Sequence, residues 1–339
     1  MILYSDRQYS QPGFPFVPFT RDLPVRWVAG REVRSDDNIA IPASLVYLNY
    51  HFGCYTSEPR TNFVIMPGIA ADTTIERAIA GALAELVERD AVTTWWQRGT
   101  VTTAIDPDPD GFPGALLATP HRTGALNYHL FVIPSDLGIP VVGALLDDTE
   151  TGVVTMGSAC HPQPRVAAAK ALTEAVQLRS FSIDLTDPDS RIWRGISAAH
   201  RDARVLAPFR ADRAYLDDQP RDFSRAIDFA THAQLYLDPR MRTYLHRILE
   251  PSERVRLPPP MATDIVGHVR KQGYQIVAVD LTTSDIAAAG LYVVRVIVAG
   301  LYPNAPAAVP FLGGQRLYRP PGRGSLAEAD LVRAPIPSI

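Results

Sequence analysis

Cysteine and lysine are almost missing from this chain. Cys54 and Cys160 are the only cysteines in 339 residues and form no CxxC pair, so neither a thiolate zinc site nor a disulfide framework is encoded. A reducing cytoplasm suits such a chain. Lys170 and Lys271 are the only lysines, and neither sits in GxxxxGK[ST], which removes the lysine-bearing phosphate loop. GxSxG, HExxH, GxGxxG after a strand and the EF-hand loop are also missing. Residues 1–13 contain no basic segment followed by an apolar run. The most apolar stretch, residues 291–301, is short and broken by Arg295, so export and membrane insertion are not expected. Charge of one sign is lacking too: 33 basic against 36 acidic residues give a net charge of -3, which supplies no attraction to nucleic acid or to an anionic membrane. What is present is 46% hydrophobic and 20% charged residues, a composition able to bury a sizeable core in one large domain or two ordinary ones.

Prolines 12, 15, 18 and 24 make residues 1–36 read as an extended N-terminal arm, one that looks cut short. Residues 43–50 fit a strand or a turn of helix equally well. A short strand is expected over 62–66, ending at Pro67-Gly68. Thr73 with Glu76 three residues on gives a capping box for a helix reaching about Arg98. The four prolines within 107–120 mark a loop. Strands follow at 129–133, 141–146 and 153–156, then an alanine-rich helix after Pro164 over 166–179, fraying near Asp184. Residues 187–221 read as a polar, irregular insertion. A helix over 261–272 and strands over 275–280 and 291–299 come next, and the tail Ala334-Pro335-Ile336-Pro337-Ser338-Ile339 should be extended. The fold class is α/β, a mixed sheet with helices.

Shifting the sequence by 89 positions lays the first strand-turn-helix unit on the second. Gly68, Ala70, Ala78, Ala80, Ala82, Leu83, Glu85 and Val87 then meet identical residues, and Glu88 meets Gln177. The shift predicts two duplicated strand-turn-helix units related by a pseudo-twofold axis. On the first helix Ile75, Ile79, Ala82, Leu86 and Val87 form an apolar stripe, while Gly81, Glu85 and Glu88 share another face. On the second, Lys170, Glu174 and Gln177 share a face. Should these faces meet, their oxygens suit Mg²⁺, a hard cation that commonly joins carboxylates to nucleotide phosphates. The same spacing also fits an ordinary i,i+4 pair between Glu85 and Arg89 on an exposed helix. Gly81, one turn before Glu85, brings the site reading level with that one, because an interior helical glycine costs about 1 kcal/mol against alanine. The eight histidines show no helical metal spacing, and Trp95-Trp96 and both cysteines read as core.

The run from Gly68 to Asp72 and on through Gly81, Glu85, Glu88, Arg89 and Asp90 to Trp95-Trp96 resembles the signature of the YcaO family, especially its thiazole/oxazole-forming peptide maturases. Further matches are the run from Ala171 through Glu174 and Gln177 to Arg179, the strand carrying Arg295, and Pro310 to Tyr318. The resemblance covers most of the chain from about Phe16, and it implies a YcaO-like ATP-dependent domain over 37–339 with a proline-containing tail. By resemblance, Glu85, Glu88 and Glu174 hold Mg²⁺, and with Gln177, Arg89 and Arg295 they bind ATP. The terminal carboxylate of Ile339 is carried over from relatives that end in PxPxP, of which only Pro335-Ile336-Pro337 stands here. Other departures are Met66-Pro67 before Gly68 where Ser-Asn is usual, Gly81 in place of a common serine, and Ala299 in place of a proline.

The implied activity is ATP-dependent cyclodehydration of Cys, Ser or Thr residues in a ribosomally made precursor peptide to azolines, by phosphorylation of the backbone amide oxygen. A separate leader-peptide-binding protein is the expected partner, and a homodimer stays open. The alternatives are a non-catalytic YcaO scaffold subunit of a maturation complex and a YcaO enzyme forming a thioamide or amidine.

Overall fold

The computed structural model describes residues 3–52, 55–106, 126–198, 205–261 and 264–338. The expected proline loop at 107–120 and Cys54 lie outside them. The chain divides into two compact units: Met1–Thr94, Ala262–Ala305 and Pro310–Glu328 make the first, and Trp95–Met261, Pro306–Val309 and Ala329–Ile339 the second.

In chain order the strands are β1 (Trp27–Glu32), β2 (Asn38–Pro42), β3 (Ile69–Asp72), β4 (Thr103–Ile105), β5 (Leu126–Ile133), β6 (Val141–Asp148), β7 (Val153–Cys160), β8 (Glu253–Val255), β9 (Ile276–Asp280) and β10 (Tyr292–Val298). The first unit holds a five-stranded sheet in the order β2-β1-β9-β10-β3, antiparallel throughout. The second holds β7-β6-β5-β4-β8, antiparallel except for the parallel β4–β8 pair. In each sheet an edge strand, β3 or β7, leads into a long helix. The helices up to that point are α1 (Asp6–Tyr9), α2 (Ala43–Val46), α3 (Ile75–Gln97) and α4 (Pro164–Thr186). The two long ones, α3 and α4, are both 23 residues and start 89 positions apart, as the sequence shift requires.

Small residues explain how closely α4 lies on its sheet. Ala167, Ala168, Ala171 and Ala175 are fully buried and pack with Leu130, Val142, Ala144 and Ala159. A Cβ on Gly157 would overlap the Ala171 carbonyl oxygen, so that strand position admits only glycine. In the first unit Ile41, Leu45, Val46, Val277 and Val279 form a core on the sheet. Trp95 and Trp96 are each 1% exposed, as core residues should be.

Several local expectations are corrected. The arm read over 1–36 contains α1 and strand β1, which pairs with both β2 and β9; its prolines lie before the strand and leave Trp27–Glu32 able to pair. Residues 62–66 form no strand, because the carbonyls of Ile65, Met66 and Pro67 are taken by the Arg295 guanidinium instead of a neighbouring strand. The α3 cap falls on Thr74, whose Oγ1 accepts from Arg77 N at 3.3 Å, so Thr73-Glu76 is not a capping box. Residues 187–221 include the helix Arg191–Ser197 and a 3-10 turn Tyr215–Asp218, held by ion pairs of Arg210 with Asp212 and of Arg240 with Asp217. Among the described residues no helix is long and apolar enough to cross a membrane.

Candidate functional site

The acidic residues of the first unit sit on α3, whose apolar side faces its sheet. Ala82, Leu83 and Val87 are fully buried, Gly81 is exposed and Glu85 half-buried. Glu85 Oε2 accepts a hydrogen bond of 2.8 Å from the backbone N–H of Gly68. Gly68 has φ +98 and a Cβ there would lie 2.7 Å from the Val296 carbonyl oxygen, so only glycine makes the turn that aims this N–H. Glu88, expected to share Glu85's polar face, is instead 7% exposed and pairs with Arg89, whose Nη1 lies 3.1 Å from its Oε1.

Arg295 has an unforeseen occupation. It is 1% exposed on β10, and its guanidinium donates to four backbone carbonyls: Nε to Leu45 at 3.0 Å, Nη1 to Met66 at 3.1 Å and Pro67 at 3.0 Å, and Nη2 to Ile65 at 2.6 Å. Burial pulls its pKa down to about 10, with the Glu85 charge acting in the opposite sense. A guanidinium spent on carbonyls builds the 65–68 turn and so aims the Gly68 N–H at Glu85.

The second unit repeats the arrangement. Glu174 on α4 is half-buried, and its Oε2 accepts from the Ser158 N–H on β7 at 2.8 Å. Gln177 and Val176 are exposed. The same helix position therefore carries the same carboxylate-to-backbone bond in both units, although the donor is Gly68 in one and the residue after Gly157 in the other. A ligating carboxylate oriented by an outer hydrogen bond is how a metal site fixes its first shell. Among the described residues no three His, Cys, Asp or Glu are gathered as a metal site on their own. Where Mg²⁺ binds a protein, water and substrate phosphates complete its shell beside the carboxylates. The donor set is all oxygen, the chemistry that a hard cation requires.

The C-terminal tail lies within the second unit. Trp96 Nε1 donates to the Ala334 carbonyl at 2.7 Å, Tyr236 Oη to Pro335 at 2.9 Å, and Met156 N on β7 to Pro337 at 2.8 Å. Ser338 is buried, and Ile339 lies outside the described residues. His232, fully buried, accepts from Ala307 N at 3.0 Å and is a structural group rather than a ligand. Cys160 is buried at the end of β7.

The sequence reading missed the backbone donors Gly68 and Ser158, and the glycines of the repeat were the signal for them. It also missed two side chains one helical turn beyond the acids, Asp90 and Arg179, which it quoted without assigning a role.

Comparison with known proteins identifies the family. The family model described as YcaO cyclodehydratase, ATP- and Mg²⁺-binding, matches residues 1–302. The chain belongs to the YcaO family, whose cofactors are ATP and Mg²⁺. An uncharacterized protein of Methanothermobacter thermautotrophicus is 30% identical over 185 residues, 51% of this chain and 46% of that protein. An uncharacterized protein in the tfuA 3' region of Rhizobium leguminosarum bv. trifolii is 30% identical over 224 residues, 60% of this chain and 51% of that one. The chain thus spans about half the length of the curated relatives it matches. Among solved structures, a heterocyclase in complex with substrate and cofactor gives a TM-score of 0.69 at 21% identity, covering 99% of this chain and 43% of that one. The heterocyclase TruD gives 0.64 at 24%, covering 97% and 44%. YcaO from Methanopyrus kandleri, bound with AMPPCP and Mg²⁺, gives 0.58 at 20%, covering 86% and 71%. The mixed sheets and helices are the YcaO fold.

Proposed function

We propose that the chain is an ATP-dependent peptide cyclodehydratase, forming azolines from Cys, Ser or Thr residues of a ribosomally made precursor peptide. Glu85, Glu88 and Glu174 hold Mg²⁺, while Gln177 and Arg89 contact the nucleotide. The observation that carries this reading is the duplicated carboxylate: Glu85 and Glu174, 89 positions apart on helices of equal length, each fixed by one backbone N–H at 2.8 Å. Each carboxylate is oriented by an outer hydrogen bond, as a metal ligand's is, in a family whose model is described as ATP- and Mg²⁺-binding. When bound, ATP supplies the phosphoryl group that turns the amide oxygen into a leaving group after the side chain has added to the preceding carbonyl.

The chain's own residues then have distinct tasks. The two oriented carboxylates place the cation with little reorganisation. Arg89, held beside Glu88, offsets charge on the phosphates. Arg295 keeps the 65–68 turn in register. The tail is held at Pro337 by β7, the strand that carries Ser158; a catalytic role for the Ile339 carboxylate is carried over by resemblance alone. Similarity of fold to the E. coli microcin synthetase McbBCD complex with pro-MccB17 bound, at 13% identity and a TM-score of 0.57, and to the heterocyclase in complex with substrate supports a peptide substrate and a separate partner that presents it.

Incubation with ATP, Mg²⁺, a Cys/Ser/Thr-bearing precursor and its leader-binding protein, followed by mass spectrometry, tests the reading. Loss of one water per modified residue with matching phosphate release is expected. Exchange of oxygen for sulfur would identify a thioamide-forming enzyme, and no phosphate release from any precursor would identify a scaffold subunit.

A further inference from the structure

Five residues beyond Glu85 and Glu174, the repeat places Asp90 against Arg179, an acid opposite a base. The structure gives each a buried ion pair within its own unit. Asp90 is 0% exposed. Its Oδ1 accepts from the Tyr302 backbone N–H at 2.7 Å and is ion-paired with the Arg316 guanidinium, which also donates to the Gly300 carbonyl at 3.3 Å. Gly300 and Tyr302 follow directly on β10, the strand that carries Arg295 and pairs with β3. In the second unit Arg179 Nε donates to Asp148 Oδ2 at 2.8 Å. Asp148 is 1% exposed and ends β6, the strand paired with β7. Burial works against the Asp148 carboxylate, but bonds from Thr151 and Arg179 outweigh it and hold its pKa below the usual range.

In each unit, then, the acid-bearing helix is tied to its sheet twice. One tie runs from the glutamate to the edge strand or the turn that leads into it, the other from five residues farther along the helix to the end of the adjacent strand or just past it. In the first unit the circuit closes: Glu85 to Gly68, the 65–67 carbonyls to Arg295 on β10, the end of β10 to Asp90, and Asp90 back along α3 to Glu85. Two ties fix both the rotation and the axial position of a helix, whereas one leaves rotation free.

We propose that Asp90 and Arg179 are positioning residues of opposite charge that set the Glu85 and Glu174 carboxylates for the metal-bound nucleotide. This rests on the nucleotide site proposed above.

Calorimetric binding of a Mg²⁺-loaded non-hydrolysable ATP analogue to the full chain, well below its melting temperature, tests it. Arg179→Gln is expected to weaken binding about tenfold or more while circular dichroism stays unchanged. Arg179→Lys, which keeps the charge, should restore most of the lost affinity. Because an unpaired charge at the fully buried Asp90 site endangers folding, the paired variant Asp90→Asn with Arg316→Gln removes both charges together and should weaken binding to a similar degree. Arg98→Ala, which breaks the bidentate pair with Asp136 elsewhere in the second unit, should lower the melting temperature and leave affinity unchanged. Folded Arg179→Gln and Asp90→Asn/Arg316→Gln proteins that bind like the wild type, losing only thermal stability, overturn the proposal. A wild-type chain that binds no Mg²⁺-nucleotide overturns the site itself and this inference with it.

Discussion

Gly81 and Gly157 answer to different constraints. A Cβ on Gly81 would meet nothing closer than the Ala70 Cβ at 3.6 Å, an ordinary contact, so no part of the protein requires a glycine there. Gly81→Ala should therefore stabilise the ligand-free chain by about 0.5–1 kcal/mol through helix propensity alone, visible as a higher urea midpoint. Gly157→Ala should do the reverse. Its methyl group has to displace α4, at a cost of about 1–3 kcal/mol, and the shift of Ser158 should weaken nucleotide binding together with the melting temperature. Equal midpoints for Gly157→Ala and wild type would contradict the close strand-helix contact. At this scale the sequence was informative about type and silent about environment. It picked out Glu85 and Glu174 as the repeated acids. It could not show that Glu88 is buried, which depends on what packs against α3, or that Arg295 is consumed by carbonyls more than 200 residues away in the chain.

At the scale of elements, the C-terminal tail and the helix Phe229–Leu235 share a buried group with a pH signature. His232 is held neutral: burial pulls its pKa down from 6.5 to about 3, with the Ile336 backbone acting in the opposite sense. The folded pKa lies below the unfolded one, so the unfolded chain binds the extra proton between them. Stability is then complete above about pH 6.5 and falls as pH drops toward 3, with a slope of about 1.4 kcal/mol per pH unit from this group. Denaturant melts at pH 7, 6 and 5 should show that decline, and His232→Asn should flatten it. An unchanged slope in the variant would assign the acid sensitivity elsewhere. The elements themselves were legible where a period ran long: α3, α4, β5 to β7, β9 and β10 lie where the pattern put them. β1 and β2 escaped because proline-rich flanks masked short strands, and residues 62–66 misled because an extended apolar run whose carbonyls serve an arginine looks like a strand in sequence.

On the scale of the whole molecule, the 89-residue repeat is the feature the sequence conveyed best. It anticipated two helices of equal length and one matching carboxylate on each, and the structure adds that each ends an analogous five-stranded sheet. The division into two compact units was not legible, since both units draw on distant stretches of chain and no linker of distinctive composition separates them. Duplication also makes a functional demand. Because each acid is held by the same bond in its own unit, removing either carboxylate's charge should be about as damaging to nucleotide binding as removing the other.

The most direct test is calorimetric titration of Mg²⁺ with a non-hydrolysable ATP analogue into wild-type, Glu85→Gln and Glu174→Gln proteins of verified fold. The account predicts measurable binding to the wild type and a loss of about tenfold or more in each single variant. Wild-type affinity in either variant would contradict it.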